Sequence, residues 1–348
     1  MGGSTLQAER PYENTTPAAA QFDMNVDDTM VNVSELQKLG VNAADIAKLV
    51  EAGISTAGMV CKVPLKVLLA IKGFSEAKVE KIRSSARKLT GGTSHPFRTG
   101  TEVREQRKRC IKITTGAKTF DAILGGGVES GSITEAYGEF RTGKTQLSHT
   151  LAVTCQLGFD QGGGQGKCIY LDTEGNFRPE RIEKIADRFG LDADATLDNI
   201  IVARAYASDQ QCELLKPLAA LIAEHGPFRM LIIDSIIALF RVDYSGRGEL
   251  SERQQKLGQH LSALTRLAED MNIAVFLVNQ CTADPGAMSL FAPVVKPVGG
   301  NVLAHASCTR IHLKKGRENC RVAKVVDSPS MPEAEAQFAI TDGGIADE

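Results

Sequence analysis

An α/β fold, with a mostly parallel twisted sheet covered by helices on both faces, is expected for most of this chain, and a small all-α domain ahead of it. Two patterns carry that expectation. From residue 111 onward short β-rich apolar runs alternate with amphipathic helical ones. Between residues 33 and 89 apolar residues recur only at helical spacing, as in Leu36, Leu39, Ile46, Leu49 and Val50. The 348 residues accommodate about two domains. Forty Lys and Arg against 42 Asp and Glu leave a net charge of -2, so any grip on a polyanion has to come from local patches.

Taken in order, residues 1–25 lack apolar periodicity and are expected to be a disordered tail. Residues 26–92 form the helical domain. Glycines at Gly53 and Gly73 separate an ending helix from a beginning one, a pattern similar to the helix-hairpin-helix module that holds a nucleic-acid phosphate on backbone N–H groups; a protein-docking helical bundle is the alternative. This stretch carries 10 basic and 7 acidic residues. Residues 93–110 read as a linker, running into a basic stretch at 98–118 that is a solvated face or a nuclear signal. The core then spans 111–348, with strands expected at 132–137, 168–171, 200–204, 230–233, 273–278, 309–313 and 322–326, and helices at 145–157, 178–189, 210–224 and 249–271. No apolar run reaches the ~18 residues of a membrane span, and no secretory leader is evident, so an intracellular protein without a membrane partner is expected. The eight cysteines form no Cys-x-x-Cys pair and are expected to be buried thiols.

The chemistry concentrates in one motif. Gly138-Glu139-Phe140-Arg141-Thr142-Gly143-Lys144-Thr145 follows an expected strand and opens an expected helix. That is the context of a phosphate-binding loop, in which backbone N–H groups wrap the phosphates, Lys144 neutralises their oxygens and the Thr145 hydroxyl faces Mg²⁺. The run 230–233 ends in Asp234, a carboxylate placed for the metal side. Another strand ends at Asp172-Thr173-Glu174, and Glu174 is the candidate to polarise a water, with Asp172 equally available. Asn279-Gln280 closes a third strand, with a structural hydrogen bond as the commoner role of such an amide.

Together with these, Asn176-Phe177-Arg178-Pro179-Glu180-Arg181, Asp243-Tyr244-Ser245-Gly246-Arg247-Gly248-Glu249-Leu250, Gly299-Gly300-Asn301 and Ala304-His305-Ala306-Ser307 make the chain resemble the eukaryotic RecA-type strand-exchange recombinases across about residues 30 to 345. Thr282-Ala283-Asp284-Pro285-Gly286-Ala287 and Phe240-Arg241-Val242-Asp243 look most like the meiosis-specific branch. The resemblance implies a RecA-like P-loop ATPase core that binds ATP and Mg²⁺. It further implies a nuclear, DNA-dependent ATPase that forms filaments or rings on single-stranded DNA, pairs it with double-stranded DNA and works with recombination mediators and accessory proteins. It assigns ATP contacts to residues 138–145, Arg181 and Asp234, water activation to Glu174 and a switch role to Gln280. Arg181 and Pro332 match an adenine sandwich, Asp327 to Pro332 a cap laid by the neighbouring subunit, and His305 a group reaching the phosphates across that interface. Two loops after the Asp234 and Gln280 strands are expected to hold DNA: one with Arg241, Arg247 and Arg253, the other with Pro285, Gly286 and Lys296. Phe97 matches the residue that plugs into the next subunit, but Gly100 stands where relatives carry Ala, which leaves the linker looser. The second loop keeps only Lys296 where relatives show an acidic residue and two lysines. The alternatives are the general recombinase, a mediator paralogue that exchanges nothing, or a hexameric helicase or kinase on the same core.

Overall fold

The computed structural model describes residues 31–90, 97–246, 248–283 and 295–348. The expected tail, Arg247, Pro285 and Gly286 lie outside them.

A 3-10 turn, Val33–Leu39, is followed by α1 (Ala43–Glu51), α2 (Ala57–Lys62), α3 (Leu65–Leu69) and α4 (Glu76–Leu89). Asn42, Thr56 and Ser75 cap α1, α2 and α4 with side-chain oxygens that accept backbone N–H groups. Gly53 and Gly73, at φ 78° and 87°, turn the chain between helices. Leu36, Leu49, Val60, Val79 and Ile82 form a separate small core. Next comes α5 (Gly100–Arg107), inside the stretch expected to be linker. Gly100 is its first residue, and Thr99 Oγ1 accepts the Glu102 N–H at 3.2 Å while the Glu102 carboxylate accepts the Thr99 N–H at 2.6 Å, a closed capping box.

The core opens with β1 (Lys112–Ile113), α6 (Lys118–Ile123) and β2 (Val128–Glu129). Then follow β3 (Ile133–Gly138), α7 (Lys144–Thr154), β4 (Lys167–Asp172), α8 (Pro179–Phe189), α9 (Ala193–Asp198) and β5 (Ile200–Arg204). After α10 (Ser208–Glu213), α11 (Leu215–Glu224) and β6 (Phe228–Asp234) come α12 (Ala238–Asp243), α13 (Leu250–Met271) and β7 (Ala274–Asn279). The chain ends through β8 (Cys281–Ala283), β9 (Val295–Pro297), α14 (Gly300–Ala306), β10 (Thr309–Lys315), β11 (Cys320–Asp327), β12 (Ala334–Thr341) and β13 (Gly344–Ala346). The single helix expected at 210–224 is broken at Leu214, because Pro217 offers no N–H to the Glu213 carbonyl.

Nine strands form one sheet in the order β13-β12-β11-β10-β3-β7-β6-β4-β5. The strands from β10 to β5 pair in parallel, and β11 to β13 add an antiparallel flank. The fold is therefore α/β with a mostly parallel sheet, as expected. Side chains alternate as a strand demands: Cys168, Tyr170, Met230 and Ile232 pack on the α7 and α8 face, Ile169, Leu171, Leu231 and Ile233 on the α11 and α13 face.

The N-terminal helices rest on the second face. Met59 packs against its core cluster, Gly53 backs closely onto Lys216 of α11, and a cleft of about 480 Å³ lies between the two parts. Lys62 forms an ion pair with Asp270, whose carboxylate is buried and raised above the ordinary range by that burial, against the pull of Lys62 and Arg266. Lys62→Met leaves this carboxylate without its nearest cation. Thermal or urea unfolding at pH 7.5 is expected to show a loss of about 1 to 2 kcal/mol, modest because Lys62 is half exposed. Since the folded-state pKa lies above the unfolded one, acidification protonates Asp270 in the folded protein first, so the loss narrows as the pH falls.

Candidate nucleotide-binding site

The parallel register sets four strand ends side by side. Tyr137 lies opposite Asn279, Asp234 opposite Val278, and Asp172 opposite Asp234. Loops leaving these ends share one edge of the sheet, where open α/β folds bind ligands. The 138–145 loop lies there. A Cβ on Gly138 would sit 2.3 Å from the Leu313 carbonyl oxygen, and Gly143, at φ 97°, passes against Ile340. Thr142 Oγ1 donates to the Glu139 carbonyl at 2.9 Å, bracing the loop. Lys144 Nζ reaches back to the carbonyls of Gly138 (2.8 Å) and Glu139 (2.7 Å), and burial lowers its pKa, offset by Asp234, Glu174 and Glu139. Phe140 and Arg141 form the exposed outer part of the loop.

Asp234 ends β6, hydrogen-bonded with the Thr145 side chain and accepting on Oδ2 from Tyr170 Oη at 3.0 Å. Burial pushes its carboxyl up to about 6; the two hydrogen bonds act against this and the nearby Glu174 adds to it. Among the described residues no group of three or more His, Cys, Asp or Glu could hold a metal. A hydroxyl and one carboxylate fit Mg²⁺ nonetheless, since that ion takes hard oxygens and usually fills its octahedron with phosphates and water.

Asp172 and Glu174 stand in different hydrogen-bond settings. Asp172 accepts the N–H groups of Glu174 (3.0 Å), Gly175 (2.7 Å), Asn176 (3.2 Å) and Phe177 (3.2 Å) and pairs with Arg204 at 2.8 Å. Four of these five donors meet Oδ1, and the Phe177 N–H meets Oδ2. Glu174 instead accepts from Ser235 Oγ (2.7 Å) and Gln280 Nε2 (2.8 Å). Gln280 Oε1 in turn accepts from Arg241 Nη1 at 3.0 Å, a continuous line from the strand end to the Arg241 segment. Asn279 has the structural role: its amide nitrogen donates to Glu135 and to the Val298 carbonyl, both at 2.7 Å, pinning both ends of the second loop.

The other expected residues distribute unevenly. Arg181 reaches Gln146 on α7 at 2.8 Å and the Thr341 carbonyl, so it borders the loop. Arg241 and Arg253 stand on α12 and α13 rather than in a loop, and only residues 244–249 separate those helices. Lys296 lies exposed on β9. Asp327, Pro332 and His305 are not brought to Lys144. β10 begins beside the start of β3 and β11 returns antiparallel, which puts Asp327 opposite Arg310 and level with Glu135, towards the edge where the parallel strands begin and roughly 10 Å of strand from Gly138. α14 leads His305 to the same edge, where the Cys308 N–H bonds the Ile133 carbonyl. Phe97 is 87% exposed. Sequence reasoning missed Tyr170, Ser235, Arg204 and the Glu135–Arg310 pair, because polar groups inside apolar strands carry no local signature of their partners.

A family model described as Rad51 matches residues 106–348. The chain belongs to the Rad51 family. Among relatives of this Rad51-family chain, a "Meiotic recombination protein DLH1" of Candida albicans is 57% identical over 93% of this chain and 99% of its own length. A human "Meiotic recombination protein DMC1/LIM15 homolog" is 57% identical over 91% and 93%. An Arabidopsis thaliana "Meiotic recombination protein DMC1 homolog" is 53% identical over 99% and 98%. The Rad51 match thus spans the whole nucleotide-site edge, and the Arabidopsis relative extends it across the N-terminal helices.

For this Rad51-family site, Asp234→Asn keeps the shape and removes the buried charge. The folded-state pKa is raised, so ionised Asp234 costs stability at neutral pH, and this cost is relieved progressively as the pH falls from about 6 towards the unfolded-state value of 3.8. Without nucleotide, the variant is expected to be about 1 to 3 kcal/mol more stable than wild type at pH 7.5, with the gain falling to about half at pH 5 and closing below about pH 4, as read by thermal unfolding.

Proposed function

We propose that this chain is an ATP-dependent DNA recombinase of meiosis, acting in the nucleus, which assembles on single-stranded DNA and exchanges strands with a homologous duplex. The relatives' printed names support the setting, and the observation that carries the activity is the unbroken hydrogen-bond line Glu174–Gln280–Arg241.

On this reading the 138–145 loop wraps the ATP phosphates with backbone N–H groups, and Lys144 swings from its carbonyls to the phosphate oxygens. Thr145 and Asp234 would hold Mg²⁺, which supplies charge neutralisation on those oxygens. Glu174, fixed by Ser235, orients a water and takes its proton. Gln280 contacts both Glu174 and Arg241, so a change at the phosphates shifts the segments that hold DNA. Arg241, Arg247, Arg253 and Lys296 meet phosphates without reading sequence, and Pro285 and Gly286 lie in the loop that spaces bases. The N-terminal helices act as a helix-hairpin-helix domain that adds a second DNA contact. Phe97 joins one copy to the next, and Asp327, Pro332 and His305 complete a neighbour's ATP site, with Arg181 opposite Pro332.

The decisive assay is exchange between a single strand and its homologous duplex with Mg²⁺ and ATP. Exchange is expected with wild type and not with Lys144→Ala. ATP and DNA binding without exchange, combined with stimulation of another recombinase, would replace this reading by a mediator. Gln280→Ala is expected to bind ATP normally while DNA stimulation of its ATPase falls about tenfold; undiminished stimulation would sink the coupling.

A further inference from the structure

We propose that Tyr170 is a positioning residue for the cation site, fixing the carboxylate of Asp234 through its phenol hydroxyl; this rests on the ATP and Mg²⁺ reading above. Tyr170 lies mid-strand in β4, wholly buried, between the apolar core side chains Cys168, Ile169 and Leu171. A buried phenol needs a partner, and here the partner is Asp234 Oδ2 on the neighbouring strand, at 3.0 Å. The two residues belong to adjacent parallel strands, with Tyr170 paired to Ile232, so the hydroxyl reaches along β6 to its last residue.

The ring is held from two sides. His149 of α7 stacks on it, with centroids 5.7 Å apart and planes 18° off parallel, and Phe177 meets it edge-on at 5.0 Å. Each of those rings is fixed in turn. His149 Nε2 accepts the Arg178 N–H at 3.2 Å, and the Phe177 N–H is held by Asp172. The hydroxyl thus has one available position, set by α7 and by the 172–178 turn. By holding Oδ2 it fixes the plane of a carboxylate that is also hydrogen-bonded with the Thr145 side chain, the other oxygen group proposed for the cation. A free carboxylate would rotate and lose that orientation. Hydrogen-bonded partners behind a metal ligand typically alter metal affinity by about 10- to 100-fold, and the cluster also ties the helix that begins at Lys144 to the turn that carries Glu174.

The test is Tyr170→Phe, which keeps the ring and removes one oxygen. Binding of a fluorescent ribose-labelled ATP is followed while Mg²⁺ is titrated, and Mn²⁺ binding is read separately by electron paramagnetic resonance with a non-hydrolysable ATP analogue. The expected result is a half-saturating Mg²⁺ concentration raised about tenfold, with a matching weakening of Mn²⁺. Phe177→Leu, which retains the hydroxyl but loosens the ring, is expected to shift Mg²⁺ in the same direction by a smaller factor, and it serves if Tyr170→Phe does not fold. A changed thermal midpoint with an unchanged cation requirement in the folded variant would assign Tyr170 to packing alone and overturn the proposal. Wild-type protein that binds the labelled nucleotide equally well with and without Mg²⁺, or not at all, would instead sink the nucleotide reading on which it rests.

Discussion

The carboxylate of Asp172 is the interaction on which the candidate-site edge of the sheet depends. Almost fully buried, it accepts four successive backbone N–H groups and the Arg204 guanidinium. Four of these donors converge on Oδ1 and the fifth on Oδ2, so the turn after β4 is wrapped around the carboxylate. Gly175, at φ 79° and with the Arg204 guanidinium close against it, admits no ordinary side chain there without strain. That turn points Glu174 at Ser235 and Gln280 and seats Phe177 against Tyr170.

The same economy governs the other buried charges of the sheet. Glu135, inside β3, is matched by Arg310 on one side and Asn279 on the other, each at 2.7 Å, and Arg310 also lies over the Tyr137 ring. A buried carboxylate without such partners would be strongly unfavourable, so β3, β7 and β10 are locked in register at their polar ends as well as by their ladders.

How much of this was legible in the chain follows from how local each cause is. The 138–145 loop was legible because tight backbone around phosphate restricts residue type at fixed spacing, and Asp234 because an apolar run ending in a carboxylate is itself a pattern. The parallel core was legible from alternating periodicities. The choice between Asp172 and Glu174 was not, since it depends on Arg204 and Gln280, which lie 32 and 106 residues away. Helix α5 was legible in principle, as Thr99 and Glu102 spell a capping box, but Gly100 and its Gly- and Ser-rich approach outweighed it. The helical setting of Arg241 was obscured by the Ser-Gly-Arg-Gly stretch that follows it, whereas Arg253 fell within the helix expected at 249–271, and β12 was obscured by the alanines and glutamates of a segment with low strand propensity.

The placement of residues 327–332 towards the starting edge of the parallel strands, opposite the Lys144 edge, bears on arithmetic as well as geometry. If that segment serves a neighbour's nucleotide, each copy carries one half of a site at either end, and the contact between copies is heterologous. A linear run of copies then has one complete site fewer than it has chains, whereas a closed ring has as many sites as chains. Turnover per chain becomes a measure of assembly length. Short oligomers are penalised most, and the chain at one terminus, its nucleotide uncovered, differs chemically from all the others.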